Sequence, residues 1–213
     1  MVTTATQLRL PADFDLARRC AGGDRLAQRE LFYRERDRVH AILYRLVGSN
    51  SDMEDLVQDA FIEIFRSLAT FRGEASLATW LDRIAIRVGY AYLGKKRGDP
   101  VRLLVVPEPV SHEPGAEQRV MTREATRRLY AVLDRIVVPQ RVAFTLHVID
   151  GRPLKDVAEA MGASLVATKV RVWRAWRAVH RAAARDPLIA ELLDGGRPLP
   201  TKRGKENERV AQK

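Results

Sequence analysis

The chain has 213 residues, 46% of them hydrophobic, which suits packed cores in one or two domains and excludes a disordered chain. Lysine and arginine number 37 against 27 aspartate and glutamate, and the formal net charge of +10 favours polyanionic partners, nucleic acid first, with binding that falls as salt rises. A single cysteine, Cys20, excludes an internal disulfide and any multi-thiolate zinc site, and no apolar run approaches the ~20 residues that a bilayer span needs.

The first residues, MVTTATQLRLPADFD, lack a positive segment followed by an apolar core, so no signal peptide is read and a cytoplasmic location is expected. A short helix is predicted from about Asp13 to the pair Gly22-Gly23. Asp24 can cap a longer helix, in which Leu31, Phe32, Val39, Ile42, Leu43, Leu46 and Val47 form a core face and Gly48 suits the end. Ser51-Asp52-Met53-Glu54 fits a capping box. In the helix that follows, Val57, Ala60, Phe61, Ile64, Phe65 and Leu68 share one face, while Glu54, Asp55, Gln58, Asp59 and Glu63 fall largely elsewhere. After the loop Phe71-Arg72-Gly73-Glu74-Ala75, Ser76 can cap a helix carrying Leu77, Trp80, Leu81, Ile84, Val88 and Tyr92 and ending in Lys95-Lys96-Arg97.

Gly98-Asp99-Pro100 breaks the pattern, and the segment to about Gln118 is proline-rich and without period, so 98–118 is read as a flexible linker between two domains, 13–97 and 119–185. The second domain opens with a helix around Arg119 to Ile136, with Leu129, Leu133 and Ile136 inward. Another starts at Pro139 and stops at Asp150-Gly151. Residues 186–213 begin with a short apolar piece, Pro187 to Leu193, and become a basic, polar tail expected to be disordered. No alternating strand pattern is convincing. The expected fold is all-α, two small helical domains on a flexible linker.

The stretch GRPLKDVAEAMGASLVATKVRVWRAWRAV, Gly151 to Val179, has the form of a helix-turn-helix, with Ala158 and Gly162 where close crossing and a tight turn are needed. On a wheel, Leu165, Thr168, Val172, Trp176 and Val179 point inward, Val166, Val170, Arg174 and Arg177 outward, and Lys169, Arg171 and Trp173 flank the outer face. Arginine can pair bidentately with guanine and lysine can neutralise phosphates, so the composition suits a major groove. A solvated basic helix over a small core has the same pattern. The acidic helix face around Glu54 can likewise be ordinary solvated surface, although its sign would repel DNA and suits a basic protein partner. Between Phe71 and Arg97, aromatic rings and cations are the ingredients of single-strand binding, while the period alone puts Phe71 and Trp80 in a core. The four histidines are scattered without metal spacing, and neither a phosphate-cradling glycine loop nor a nucleophile–base set is found, so no enzyme, metal site or cofactor is expected.

SDMEDLVQDAFIEIF, FRGEASLATWLDRIAIR, VPQRVAFTLHVIDGRPLKDVAEAMGAS and KVRVWRAWRAV, in this order, resemble the sigma-70 family of RNA polymerase sigma factors, in particular the small extracytoplasmic-function type that keeps regions two and four. The resemblance covers roughly Asp13 to Ala183. It implies that the first domain is region two and that its acidic helix docks on the clamp helices of the largest subunit of core RNA polymerase through Asp52, Glu54, Asp55, Gln58 and Asp59. It implies that the loop from Phe71 to Thr79 captures a flipped base of the minus-ten element, with Phe71, Arg72, Ser76 and Thr79 at the opening site. Arg83, Arg87, Lys95, Lys96 and Arg97 would then hold the opened strand. Region four would read the minus-thirty-five element through Ser164, Lys169, Val170, Arg171, Trp173, Arg174 and Arg177. Stretched out, the linker's roughly 20 residues span about 65 Å, so the two domains can sit on separate promoter elements.

The resemblance also makes an anti-sigma protein an expected partner, beside core polymerase and promoter DNA, with no membrane insertion. Some positions depart from the family pattern. Pro153 replaces a serine cap, Arg87 stands where asparagine is common, and Thr168-Lys169-Val170 puts an apolar residue toward DNA where a polar one is frequent, so no base preference carries over. An alternative sigma factor is the expected function; a stand-alone helix-turn-helix regulator or a protein-binding adaptor would have no use for the Phe71 to Arg97 element.

Overall fold

The computed structural model describes residues 4–48, 52–95 and 116–194, and within them every regular element is helical. The first unit holds α1 (Thr4–Ala21), α2 (Arg25–Val47), α3 (Met53–Ser67), a 3₁₀ turn (Leu68–Thr70) and α4 (Leu77–Lys95). The second holds α5 (Ala116–Leu133), α6 (Val138–Phe144), a π-helical turn (Thr145–Ile149), α7 (Leu154–Ala160), α8 (Leu165–Ala183) and α9 (Pro187–Asp194). Among the described residues no helix is long and apolar enough to cross a membrane.

Helix starts follow side-chain chemistry. Asp24 caps α2 by accepting from the amides of Leu26 at 2.9 Å and Ala27 at 3.1 Å. The box expected at Ser51 is not the one that starts α3. Its N-cap is Asp52, which makes no capping bond because its carboxylate accepts the Tyr92 hydroxyl of α4 instead, and Ser51 lies outside the described residues. Tying Asp52 to α4 fixes the crossing of the two helices at the expense of a local cap. Helix α1 starts at Thr4, well before Asp13, and α5 starts at Ala116, inside the stretch expected to be linker. The helix begun at Val138 carries proline in its first turn and widens into the π turn, closed by the Asp150 amide on the Thr145 carbonyl at 2.9 Å.

The apolar stripes converge as expected. Leu31, Val39, Ile42, Leu43 and Leu46 of α2 meet Val57, Ala60, Phe61 and Ile64 of α3 and Leu77, Leu81, Ile84 and Ala85 of α4. In the second unit Leu129, Leu133, Ile136, Phe144, Ala175 and Val179 form a separate core. Ile189 of α9 joins it, so the apolar piece at the head of the expected tail is folded structure, its start capped by Asp186 on the Leu188 amide. Val138 and Val142 of α6, Leu146 of the π turn, and Val157 and Met161 of α7 and its C-cap pack into the first unit's core. The two units therefore close directly on each other.

Candidate nucleic-acid interface

Helices α7 and α8 meet in a tight turn, in which Gly162 adopts φ +58 and the Ala163 amide bonds the Ala158 carbonyl at 2.8 Å. Ser164 caps α8 on the Ala167 amide at 3.2 Å, and its carbonyl accepts the Thr168 hydroxyl at 3.0 Å. That second bond is how a polar Thr168 can be fully buried beside Val172, Ala175 and Val179. Opposite this arc, Val166, Lys169, Val170, Trp173, Arg174 and Arg177 are exposed together with Ser164, and Arg171 is half-buried at the edge. The Arg177 guanidinium lies 4.8 Å above the Trp173 ring. One inward expectation is corrected: Leu165 is exposed, because at the first residue of α8 the arc has run past the core, and Met161 and Ala163 of the turn join it instead. Pro153 is the N-cap of α7 and supplies no side-chain bond.

A second basic surface runs along α4. Ser76 accepts from the Thr79 amide at 3.1 Å, with the two hydroxyls 2.8 Å apart, so both serve the helix start. Thr79, Arg83 and Arg87 follow at intervals of four on one face. Arg72, Arg87 and Lys95 are exposed, and Lys96 and Arg97 lie outside the described residues. Phe71 lies on the core side of the two readings open to it. It is buried, edge-on to Trp80 at 5.6 Å and 6.3 Å from Phe14, so it anchors the loop from within. Its burial is the outcome that the apolar period alone indicated.

Arg83 is not open to solvent on all sides: its guanidinium pairs with Glu159 of α7 at 2.8 Å. It belongs to a set of ion pairs that close the two units. Asp82, almost wholly buried, takes both Arg38 of α2, at 2.7 and 2.9 Å, and Arg152 from just before α7, at 3.0 Å. The bidentate bond to Asp82 pushes Arg38 above the ordinary arginine range. Arg45 pairs with Asp150 at 2.7 Å, and Asp150 also accepts from Arg152. Thr79 and Arg83 line a cleft of about 490 Å³ at this junction, and its Arg38, Arg45, Arg83 and Arg152 each have a carboxylate partner.

Behind the cleft, the last turn of α2 is completed from the second unit. Gly48 covers the Tyr44 carbonyl at 2.7 Å, the Tyr130 hydroxyl donates to the Arg45 carbonyl at 2.7 Å, and Arg141 donates to Leu46 and Val47 at 3.2 and 2.8 Å. All four orphan carbonyls of the helix end are thus satisfied, three of them by the second unit. Burial pushes the Tyr130 phenol up, which keeps it a donor. Sequence reasoning passed over Arg38, Arg141 and Arg152, for which pairing partners far along the chain leave no local signal. Asp82 did leave one, as a charge beside Leu81 and Ile84 in an apolar helix.

The acidic face of α3 is placed as its spacing implied. Glu54, Asp55, Gln58 and Asp59 are exposed in one strip at the helix N-terminus, where the helix dipole favours carboxylates. Asp52 is half-buried and turned to Tyr92, apart from that strip.

Comparison with known proteins places this geometry. The Sigma-70 region 2 family profile matches residues 31–98. The ECF RNA polymerase sigma-E factor of Haemophilus influenzae is 31% identical over 172 residues, covering 76% of this chain and 90% of that protein. The sigma-E factor of Escherichia coli K12 is 29% identical over 183 residues, covering 82% and 94%. Among solved structures, CnrH in complex with the cytosolic domain of CnrY shares the fold, with a TM-score of 0.55 at 23% identity over 82% of this chain and 99% of that one. The sigma factor RpoE of Bartonella quintana, in complex with the anti-sigma factor NepR, has a TM-score of 0.54 at 18% identity, covering 74% and 97%.

Proposed function

The chain belongs to the extracytoplasmic-function type of the sigma-70 family of RNA polymerase sigma factors, and on that premise we propose how its two units divide the work of an alternative initiation factor. Such a factor binds core RNA polymerase and directs initiation at particular promoters; it performs no catalysis itself, since the polymerase supplies the chemistry. We assign the first unit, expected over 13–97, to core polymerase and the minus-ten element, and the second, expected over 119–185 and extended by the earlier start of α5 at Ala116 and by α9, to the minus-thirty-five element. The cytoplasm, where polymerase acts, is the proposed location.

The observation that carries the assignment is the pairing of two basic faces of different character with one acidic strip. Exposed Lys169, Arg174 and Arg177 on a capped second helix suit the groove of closed duplex. Arg72 in the loop before α4, with Arg83, Arg87 and Lys95 along the helix, suits an opened strand, whose extruded base costs a few kcal/mol that strand contacts must offset. The Glu54, Asp55, Gln58 and Asp59 strip suits a basic polymerase surface. Arg83 shares its guanidinium with Glu159 in the closed arrangement, so opening of the cleft would free it fully for a strand. An anti-sigma protein, the partner of the Bartonella quintana neighbour, is proposed as a third partner that would act on this same opening.

Transcription from a matched promoter by purified core polymerase, with and without the protein, tests the reading. A promoter-dependent transcript only in its presence is expected; no transcript together with no core association would refute it. Reversal of charge at Glu54 and Asp55 is expected to weaken core binding and leave α8 folded, and unchanged core affinity would return the strip to ordinary surface. Arg174→Ala is expected to cost about 1 to 3 kcal/mol on one promoter class if it meets a base edge. An equal loss on every sequence would make it a phosphate contact.

A further inference from the structure

The outer face of α8 is not uniformly basic. Val166, 72% exposed, and Val170, 40% exposed, stand one turn apart within its first two turns. Neither contributes to either core. Single exposed apolar residues are common on protein surfaces. Two in line, at the end of a recognition helix whose first residues meet base edges, put an apolar strip where base pairs present their groups. Lys169 lies between them in sequence, and Arg174 and Arg177 follow, so the charges that hold the helix to phosphates surround the strip.

The major-groove edge of a base pair offers donors, acceptors and one apolar group, the thymine C5-methyl. A valine pressed on a donor or acceptor of another base strips water from a polar atom and returns no hydrogen bond, which is penalised, and the C5–H of cytosine offers less apolar surface than a methyl. We propose that Val170, backed by Val166, selects thymine at one position of the recognised element through contact with its methyl group. The proposal rests on the reading of α8 as the base-reading helix and adds to it the chemical class of base. It also accounts for an apolar residue at a position where the family resemblance led one to expect a polar one.

The test uses the full chain with core polymerase. The complex first selects duplexes from a random-sequence pool, and each thymine of the selected element is then replaced in turn by deoxyuridine, which removes only the methyl. The wild-type complex is expected to lose about threefold to fivefold in affinity at one thymine, the worth of one buried methyl-sized group. Val170→Ala is expected to bind thymine and uracil alike at that position. Val170→Thr keeps the branched shape and one of the two methyls, and is expected to keep part of the preference for thymine. Both substitutions are at an exposed helical site, and unchanged far-ultraviolet circular dichroism would establish that they fold. If a sequence is selected and no thymine responds to uracil, or the response survives undiminished in Val170→Ala, the role of Val170 is overturned while the reading of α8 stands. If no sequence is selected at all, both fall.

Discussion

Arg141 is nearly closed off from solvent, and its guanidinium is satisfied from two directions at once: Asp134 within its own unit and the carbonyls of Leu46 and Val47 across the junction. Planar geometry makes this possible, since five fixed donors can serve a carboxylate and two carbonyls together where a lysine ammonium could not. Arg141→Met, which keeps the stem and removes the donors, leaves a half-buried aspartate and two carbonyls without partners. A loss of about 2 to 4 kcal/mol is expected. Urea unfolding measures it, and Arg141→Lys should recover only a minor part. A midpoint unchanged in both variants would mean that water takes over the carbonyls freely.

At the scale of elements, α2 shows how much a cap can govern. The Ala27 amide, then the Arg19 guanidinium, hold the Asp24 carboxyl below the usual carboxylate range. Because the folded value is the lower one, the stabilisation is whole above the ordinary carboxylate pKa and is lost as pH falls through the lowered value. Asp24→Ala is therefore expected to lower the melting temperature by a few degrees at neutral pH, with the gap to wild type closing in acid, as calorimetry at several pH values would show. This cap was readable, as were the core stripes of α2, α3 and α4 and the outer face of α8, because each depends on residues a few positions apart. What stayed hidden depends on distance. Asp52 was expected to join a polymerase-facing strip, and a tyrosine 40 residues later claims its carboxylate. Leu165 sits on the inward arc of its helix, yet where a core ends is set by other elements. Arg83 read as a free cation because Glu159 lies 76 positions on and nothing near either residue announces the pair.

The contacts that hold the whole molecule closed differ in their sensitivity to salt. The apolar inner faces of α6 and α7 respond little to salt, whereas the outlying Arg83–Glu159 pair, half-exposed, contributes only a modest screened attraction. Glu159→Arg should raise the open population by about threefold to fivefold, as the loss of one exposed pair allows. Fluorescence energy transfer between dyes on the two units would read it, and the swap Arg83→Glu with Glu159→Arg should restore closure; failure of the swap would show that the pair is not what matters. Separation would also bare Val138, Val142 and Leu146, so an open chain needs a partner to cover them. One position keeps a record of this closure. Gly48 turns at φ +70, and a Cβ there would lie 2.3 Å from the Tyr130 ring, whose hydroxyl is tied to Arg45. The turn alone would admit asparagine, which tolerates the left-handed region, but the ring would not. Inheritance at this site should therefore distinguish the two demands, glycine alone where descendants close on themselves in this way and asparagine beside it where they do not.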